Sequence, residues 1–173
     1  MKNRLIISLN LIMLLCLAIL SGSCEKDRYS VDVVSDSEMK ADIYSRSLDT
    51  LHFESSRYIL EAELTRDFFP GGPVPKERPL VASIYLVNID SLPVSPNLEV
   101  QTFYVINNDL IWYAALNQGV QPNVPDFKLN KLNNNGPEWD TDIPVDVVIE
   151  IESTQTKERF LLMVRDINID ANW

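Results

Sequence analysis

The stretch Val-Asp-Val-Val-Ile-Glu-Ile-Glu, residues 145–152, decides the fold class of this chain. Its odd-numbered positions are all valine or isoleucine, whereas three of its four even-numbered positions are aspartate or glutamate. Because a β-strand directs successive side chains to opposite faces, an apolar period of two gives one apolar face and one polar face. The stretch therefore predicts a half-buried strand.

Further strand patterns lie on both sides of this stretch. Two of the apolar segments flank Asn107-Asn108-Asp109 in the manner of a hairpin, with Trp112 at a core position in the second of them. In the last segment the apolar face changes parity near Arg165, which predicts a β-bulge at that point. The segments are residues 58–65, 80–89, 98–106, 110–116 and 160–169.

The connections are rich in residues that favour turns. Proline, glycine and asparagine are dense in residues 67–79 and 117–144, so we expect long loops there, with at most a short strand at 127–132. Ser35 and Glu38 have the spacing of a capping box and predict a helical turn or two over 37–44. The whole pattern predicts an all-β fold over residues 38–173, an immunoglobulin-like β-sandwich of about seven strands, with a small barrel as the alternative.

The first residues predict a lipoprotein signal peptide over 1–23. Lys2 and Arg4 precede an apolar core, and the order Leu20-Ser21-Gly22-Ser23-Cys24 resembles the lipobox of bacterial lipoproteins. We expect cleavage before Cys24, acylation of its thiol, and a lipidated tether over 24–37. The alternative is a secreted protein in which Cys24 is an ordinary thiol.

The charge of the chain bears on its partners. The sequence has 25 acidic and 15 basic residues, and its formal net charge is −10. Since a surface of this sign repels phosphate backbones, no nucleic-acid partner is expected. Attachment to the membrane should come from the N-terminal lipid, in a bacterial cell envelope, with the outer membrane and either its periplasmic or its surface face as the expected place.

The sequence offers few residues for catalysis or for metal binding. His52 is the one histidine, and no strand-serine-helix elbow accompanies it, so no enzyme and no cofactor are predicted. Glu138, Asp140 and Asp142 lie close together in a predicted loop and are weak candidates for a calcium site. The expected metal content is none.

Aromatic residues in predicted loops are the candidates for ligand contact. Phe68, Phe69 and Trp139 each lie near proline or glycine, in segments predicted to be loops. Flat rings at such positions stack on sugar rings or anchor a protein partner, although they also pack as part of a structure.

The strand and turn patterns resemble a known group of proteins. Gly136-Pro137-Glu138-Trp139, residues 145–149, residues 161–166 and Tyr104-Val105-Ile106 followed by Trp112 are similar to uncharacterised Gram-negative lipoproteins with immunoglobulin-like domains. The resemblance covers residues 56–170 and implies a fold and an envelope location, without a catalytic signature. The first hypothesis is a non-catalytic binding or accessory module for a protein or a glycan. A structural component of an envelope assembly is the alternative, and a glycan-cleaving hydrolase is third.

Overall fold

A computed structural model describes residues 32–68, 78–118 and 124–173. Strands account for most of these residues, so the prediction of an all-β fold is confirmed. The strands are β1 (Val33–Val34), β2 (Ser47–Leu48), β3 (Leu51–Phe53), β4 (Ser56–Asp67), β5 (Val81–Asn88), β6 (Leu98–Asn107), β7 (Leu110–Ala115), β8 (Asn117–Gln118), β9 (Lys128–Asn133), β10 (Pro144–Ser153) and β11 (Arg159–Asn172). The helix α1 is Ser37–Arg46. No helix in the described ranges is long and apolar enough to cross a membrane.

The strands form one curled mixed sheet in the order β1-β7-β6-β10-β11-β4-β5-β9-β8, with β2 and β3 paired off this path to β11 and β4. Apart from the short β1, the path begins at β7 and ends at β8, which are separated along the chain by Leu116 alone. Asn133 on β9 also donates from its amide nitrogen to the carbonyl oxygen of Ala115 on β7, at 3.2 Å. One continuous piece of chain therefore connects the two ends of the sheet.

The predicted bulge in the last strand is confirmed. The register between β10 and β11 shifts between Val145 and Val147, and Asp166 opposite this step has a φ of 57°. The Asp166 backbone N–H donates to Oδ1 of Asp146 at 3.1 Å. β11 pairs with β10 up to Asn168, and its last four residues pair in parallel with β4. The same strand thus serves both halves of the sheet, and the change of parity is the result of the extra residue.

The main core lies inside the curl of the sheet. It contains the alternating apolar residues of the long strands, among them the valines and isoleucines at the odd-numbered positions of 145–151. Trp112 is only 1% exposed, and its ring meets that of Phe103 edge to face with 4.7 Å between centroids. The prediction of Trp112 as a core residue is confirmed. Each such side chain contributes ~1.5–3 kcal/mol through removal of its apolar surface from water.

A second, smaller core lies between α1 and the outer face of the sheet. Ile43 of the helix clusters there with Ile106, Val148 and Met163 from three neighbouring strands. The helix is observed where the sequence predicted one, but its N-cap is Asp36, whose carboxylate accepts from the Met39 N–H at 2.9 Å, and not Ser35. Because α1 covers β6, β10 and β11 from outside, Val148 is buried although it lies on the polar side of its strand's pattern.

Only the end of the predicted tether, residues 24–37, lies in the described part of the chain. Val33 and Val34 form β1, where they pair with Trp112 and Ile111 of β7. These two residues therefore belong to the sheet. Cys24 and the predicted signal peptide lie outside the described residues.

Candidate binding site

The parallel pairing of β4 with β11 brings two aromatic residues together just beyond the C-terminal ends of these two strands. Asp67 and Asn172 are opposite each other at the ends of the two strands, and the Phe68 N–H donates to the carbonyl oxygen of Asn172 at 2.7 Å. Phe68 and Trp173 follow directly, and their rings stack with 5.1 Å between centroids and 28° between planes. The register of two strands far apart in sequence thus sets the position of both rings.

The Arg66 side chain forms hydrogen bonds to the segments around this aromatic pair. Its Nε donates to the carbonyl oxygen of Arg78 at 2.9 Å, and its Nη1 donates to that of Trp139 at 2.7 Å. Its Nη2 also lies 3.8 Å from Oε2 of Glu138. The side chain is 11% exposed, so these partners compensate for the removal of a cation from water. Arg66 therefore connects the end of β4 to the segments around residues 78 and 138.

Arg78 lies over the Phe68 ring. Its Cζ lies 4.9 Å from the centre of the Phe68 ring, and the Cζ of Arg66 lies 5.3 Å from the same centre. The backbone N–H of Arg78 donates to Oε1 of Glu138 at 2.9 Å. A guanidinium over an aromatic face is attracted by the negative charge of the ring face. Both arginines thus help to fix the Phe68 ring.

Trp173 is the exposed member of the group. The indole residue is 76% exposed, whereas Phe68 is half-buried between its neighbours. We call this group the aromatic–arginine site, and it consists of Arg66, Phe68, Arg78, Glu138, Trp139 and Trp173. It combines a supported aromatic surface with a guanidinium, which is suited to contact with a ligand and includes no pair of groups placed for acid–base chemistry.

Comparison with family models, with curated proteins and with solved structures finds no match to this chain.

The structure places the residues predicted for ligand contact in different settings. Phe68 lies in the aromatic–arginine site, and Phe69 lies outside the described residues. Trp139 packs its side chain against the main core and contributes its carbonyl oxygen to the site. The sequence patterns did not single out Arg66 and Arg78, because nothing local indicates that residues 66, 78, 138 and 173 meet.

The three acidic candidates for a metal site have separate roles. The Glu138 carboxylate receives the Arg78 N–H, Asp140 is exposed, and Asp142 has a φ of 60° and donates its N–H to the carbonyl oxygen of Ile169 at 2.8 Å. Among the described residues, no three histidine, cysteine, aspartate or glutamate side chains group in a way that could hold a metal ion.

A polar cavity of about 230 Å³ lies between α1 and the sheet, next to the bulge. The Tyr44 hydroxyl donates there to Oδ2 of Asp146. Lys40 of α1 donates to the carbonyl oxygen of Asn108 at 2.7 Å on the same side. Burial raises the pKa of Tyr44 to about 12, and the hydrogen bond and the negative charge of Asp146 act in the same direction. The two Asp146 oxygens accept hydrogen bonds from Tyr44 of α1 and from the Asp166 backbone of β11. The groups beside the cavity therefore connect the helix to the sheet.

We expect the hydrogen bond between Tyr44 and Asp146 to make the stability of the protein depend on pH in the alkaline range. The folded-state pKa of Tyr44 is raised from 10.0 to about 12, so its contribution to stability is complete below pH ~10 and is lost as the pH rises from about 10 to 12. In urea unfolding at a series of pH values, the difference in stability between the wild type and Tyr44→Phe should therefore shrink across that window. A difference that stays constant up to pH 12 would show that the phenol titrates alike in both states.

A second depression, of about 440 Å³, lies between the segments around residues 93–98 and 124–129. Its walls are mostly apolar, with Pro93, Pro96 and Pro125 among them. Its one cation, Lys128, is bound to Glu61 at 2.6 Å. Among the described lining residues, no unpaired cation is therefore left to orient a small ligand.

Proposed function

We propose that this chain is a lipid-anchored, non-catalytic binding module of a bacterial cell envelope, which engages a glycan or a protein ligand through the aromatic–arginine site. One observation carries the proposal: Trp173 is 76% exposed and yet is stacked against a Phe68 ring that two arginines support. A large aromatic side chain in this setting presents apolar surface that a ligand can cover.

The support beneath Trp173 favours binding for an energetic reason. Immobilising a flexible side chain costs ~0.5–1.5 kcal/mol on association, and this cost is smaller when the ring is already held. Phe68 provides that hold, and Arg66, through its two hydrogen bonds to backbone carbonyl oxygens, fixes the segments behind it. Tryptophan and arginine are also the side chains most enriched among residues that dominate binding energy.

The net charge of the chain supports the choice of ligand class. A formal charge of −10 disfavours nucleic acid, in which every phosphate would be repelled. Glycans and proteins remain, because both offer flat apolar faces together with polar edges. In the aromatic–arginine site, the Trp173 ring can contact an apolar face and the Arg78 guanidinium can contact a polar edge.

For the fold we propose an immunoglobulin-like sandwich in which the two halves of the sheet face each other. Seven of the eleven strands in the described ranges have six or more residues, and they enclose one main core. β11 pairs with both halves and so connects them along one edge. These features support a two-layer arrangement of the kind that the strand pattern predicted.

For the location we propose an anchor at Cys24, on the periplasmic or the surface face of the outer membrane. The small residues Ser21, Gly22 and Ser23 before this cysteine, after an apolar core, support cleavage and acylation. Several acyl chains hold a protein stably, because each buried CH₂ contributes ~0.8 kcal/mol. The domain would then be displayed on the tether that precedes β1.

The binding proposal is tested with Trp173→Ala on panels of printed oligosaccharides and peptides. We expect the wild type to bind members of a panel and the variant to lose about 10-fold or more in affinity, which corresponds to ~1.4 kcal/mol. Because Trp173 is largely exposed, its unfolding midpoint in urea should be unchanged.

The matched control is Leu92→Ala, since Leu92 is 51% exposed in the segment between β5 and β6. This control should bind as the wild type does. Equal binding by Trp173→Ala and the wild type would contradict the proposal, as would binding of no member of either panel.

A further inference from the structure

We propose that the ligand of the aromatic–arginine site is an acidic glycan, whose carboxylate is bound by the Arg78 guanidinium while a sugar ring stacks on Trp173. The inference rests on the proposed binding function and names the class of ligand.

Arg78 differs from the other arginines in the described ranges because its side chain has no carboxylate partner among the described residues. Arg66 contacts the Glu138 carboxylate at 3.8 Å and uses its other donors on two carbonyl oxygens. The remaining four arginines also form ion pairs, which are Arg46–Asp42, Arg57–Asp90, Arg159–Glu150 and Arg165–Asp49. In a chain with 25 acidic and 15 basic residues, an arginine without an acidic partner is unexpected from composition alone.

The guanidinium of Arg78 is nevertheless held in place. Its contact with the Phe68 ring, at 4.9 Å from Cζ to the ring centre, uses the face of the guanidinium and none of its N–H groups. The backbone of the same residue is fixed by the Glu138 carboxylate. Among the residues that the structure describes, no side-chain N–H of Arg78 has a hydrogen-bond acceptor. A positioned guanidinium with free donors is what a planar carboxylate needs for two parallel hydrogen bonds.

The two proposed ligand contacts both adjoin the Phe68 ring. The Trp173 ring and the Arg78 guanidinium lie 5.1 Å and 4.9 Å from the centre of the same Phe68 ring. A pyranose has an apolar face that covers an indole, and a carboxyl substituent at its edge extends toward the guanidinium. The sum of these two distances is the largest separation that the ring and the guanidinium can have, so a ligand of two sugar residues is long enough to reach both.

A carboxylate fits better than a phosphate monoester. Arg66 uses its donors on protein atoms, so among the described residues of the site the guanidinium of Arg78 is the one left for the ligand. A phosphate monoester carries up to two negative charges and would be repelled more strongly than a carboxylate by a chain with a formal charge of −10.

A glycan fits better than a protein partner. A stable protein interface covers ~800 Å² on each side and uses ~20–30 residues. The described part of the aromatic–arginine site offers one exposed ring and the Arg78 guanidinium, and a carboxylated sugar can contact both.

The experiment measures binding of the purified full-length protein to oligosaccharides that contain uronic or nonulosonic acids. Each probe is paired with its methyl ester or its carboxyl-reduced counterpart, which keeps the ring and removes the charge. We expect the wild type to prefer the carboxylate form about 10-fold, since a hydrogen-bonded charged group contributes to that extent. Arg78→Gln should remove the preference, and Trp173→Ala should weaken binding of both forms. Arg165→Gln, whose guanidinium pairs with Asp49, is the matched control and should keep the preference.

The other outcomes separate the failure of this inference from that of the proposed function. Equal affinity for a carboxylate and its neutral counterpart, unchanged in Arg78→Gln, would overturn the acidic ligand and leave the binding module in place. Binding to acidic peptides alone, with dependence on Trp173, would overturn the glycan and favour a protein partner. If no glycan and no peptide binds, both this inference and the proposed function are wrong.

Discussion

Gly136→Ala is expected to lower the free energy of unfolding by about 3 kcal/mol, the upper part of the range for overpacking. A Cβ at this buried position would lie 2.6 Å from the carbonyl oxygen of Leu80, 2.6 Å from Cη2 of Trp112 and 2.7 Å from Cβ of Leu80. The φ of Gly136 is outside the left-handed region, so the backbone itself would accept alanine. The lack of space around the Cβ therefore makes the substitution destabilising. At open positions, by contrast, Gly→Ala raises the free energy of unfolding by ~0.4–1 kcal/mol.

Urea unfolding of Gly136→Ala, Trp112→Phe and the double variant gives the matched control. Phenylalanine lacks the Cη2 atom, so the double variant should lose less stability than the two single variants together, by a coupling of ~1 kcal/mol. The contact with the Leu80 backbone persists, so the rescue should be partial. A neutral or stabilising Gly136→Ala would show that the segments around residues 80 and 136 can separate at little cost.

Cys24→Ala is expected to abolish the membrane anchor completely. If the lipobox at residues 20–24 is functional, the membrane-extracted wild type should have the mass of a chain cleaved before Cys24 with acyl chains added. The variant has no thiol at this position to accept lipid. Intact mass spectrometry, together with the partition between membrane and soluble fractions, measures both effects.

Cys16→Ala is the matched control for the anchor. Cys16 lies within the apolar core of the predicted signal peptide, so this variant should give the same acylated mature mass as the wild type. An unacylated mature chain in the wild type and in both variants would contradict the lipoprotein proposal. It would leave a secreted domain that could still bind ligand through the aromatic–arginine site.

The strands were predictable because they depend on local periodicity. The alternation over residues 145–152 marks β10, and the change of parity near Arg165 marks the bulge that the structure confirms. The turn Asn107-Asn108-Asp109 likewise marks the β6–β7 hairpin, in which Asn108 has a φ of 52°. Such signals need no knowledge of tertiary structure.

Features that depend on distant contacts were not predictable from the sequence. One such feature is the packing of α1 on the outer face of β6, β10 and β11. Val148 gave a hint of this, as an apolar residue on a polar strand face. Periodicity shows that a face is apolar, and it does not show which element will cover that face.

The candidate site was predictable in part for the same reason. Phe68 and Glu138 stood out as loop residues, and both lie in the aromatic–arginine site. The parallel register of β4 and β11, which brings Phe68 to Trp173, has no local signature in either strand. Arg66 acquires its role only when residues 78, 138 and 139 fold around it.

That parallel register also sets the order of events during synthesis. Residues 64–67 pair with residues 169–172, so the loop closed by this contact contains about a hundred residues, and closing long loops slows folding. A chain that leaves the ribosome or a translocation channel from its N-terminus has β4 available long before β11 emerges. The aromatic–arginine site therefore forms only after β11 has been synthesised, and a nascent chain that ends before β11 does not present it.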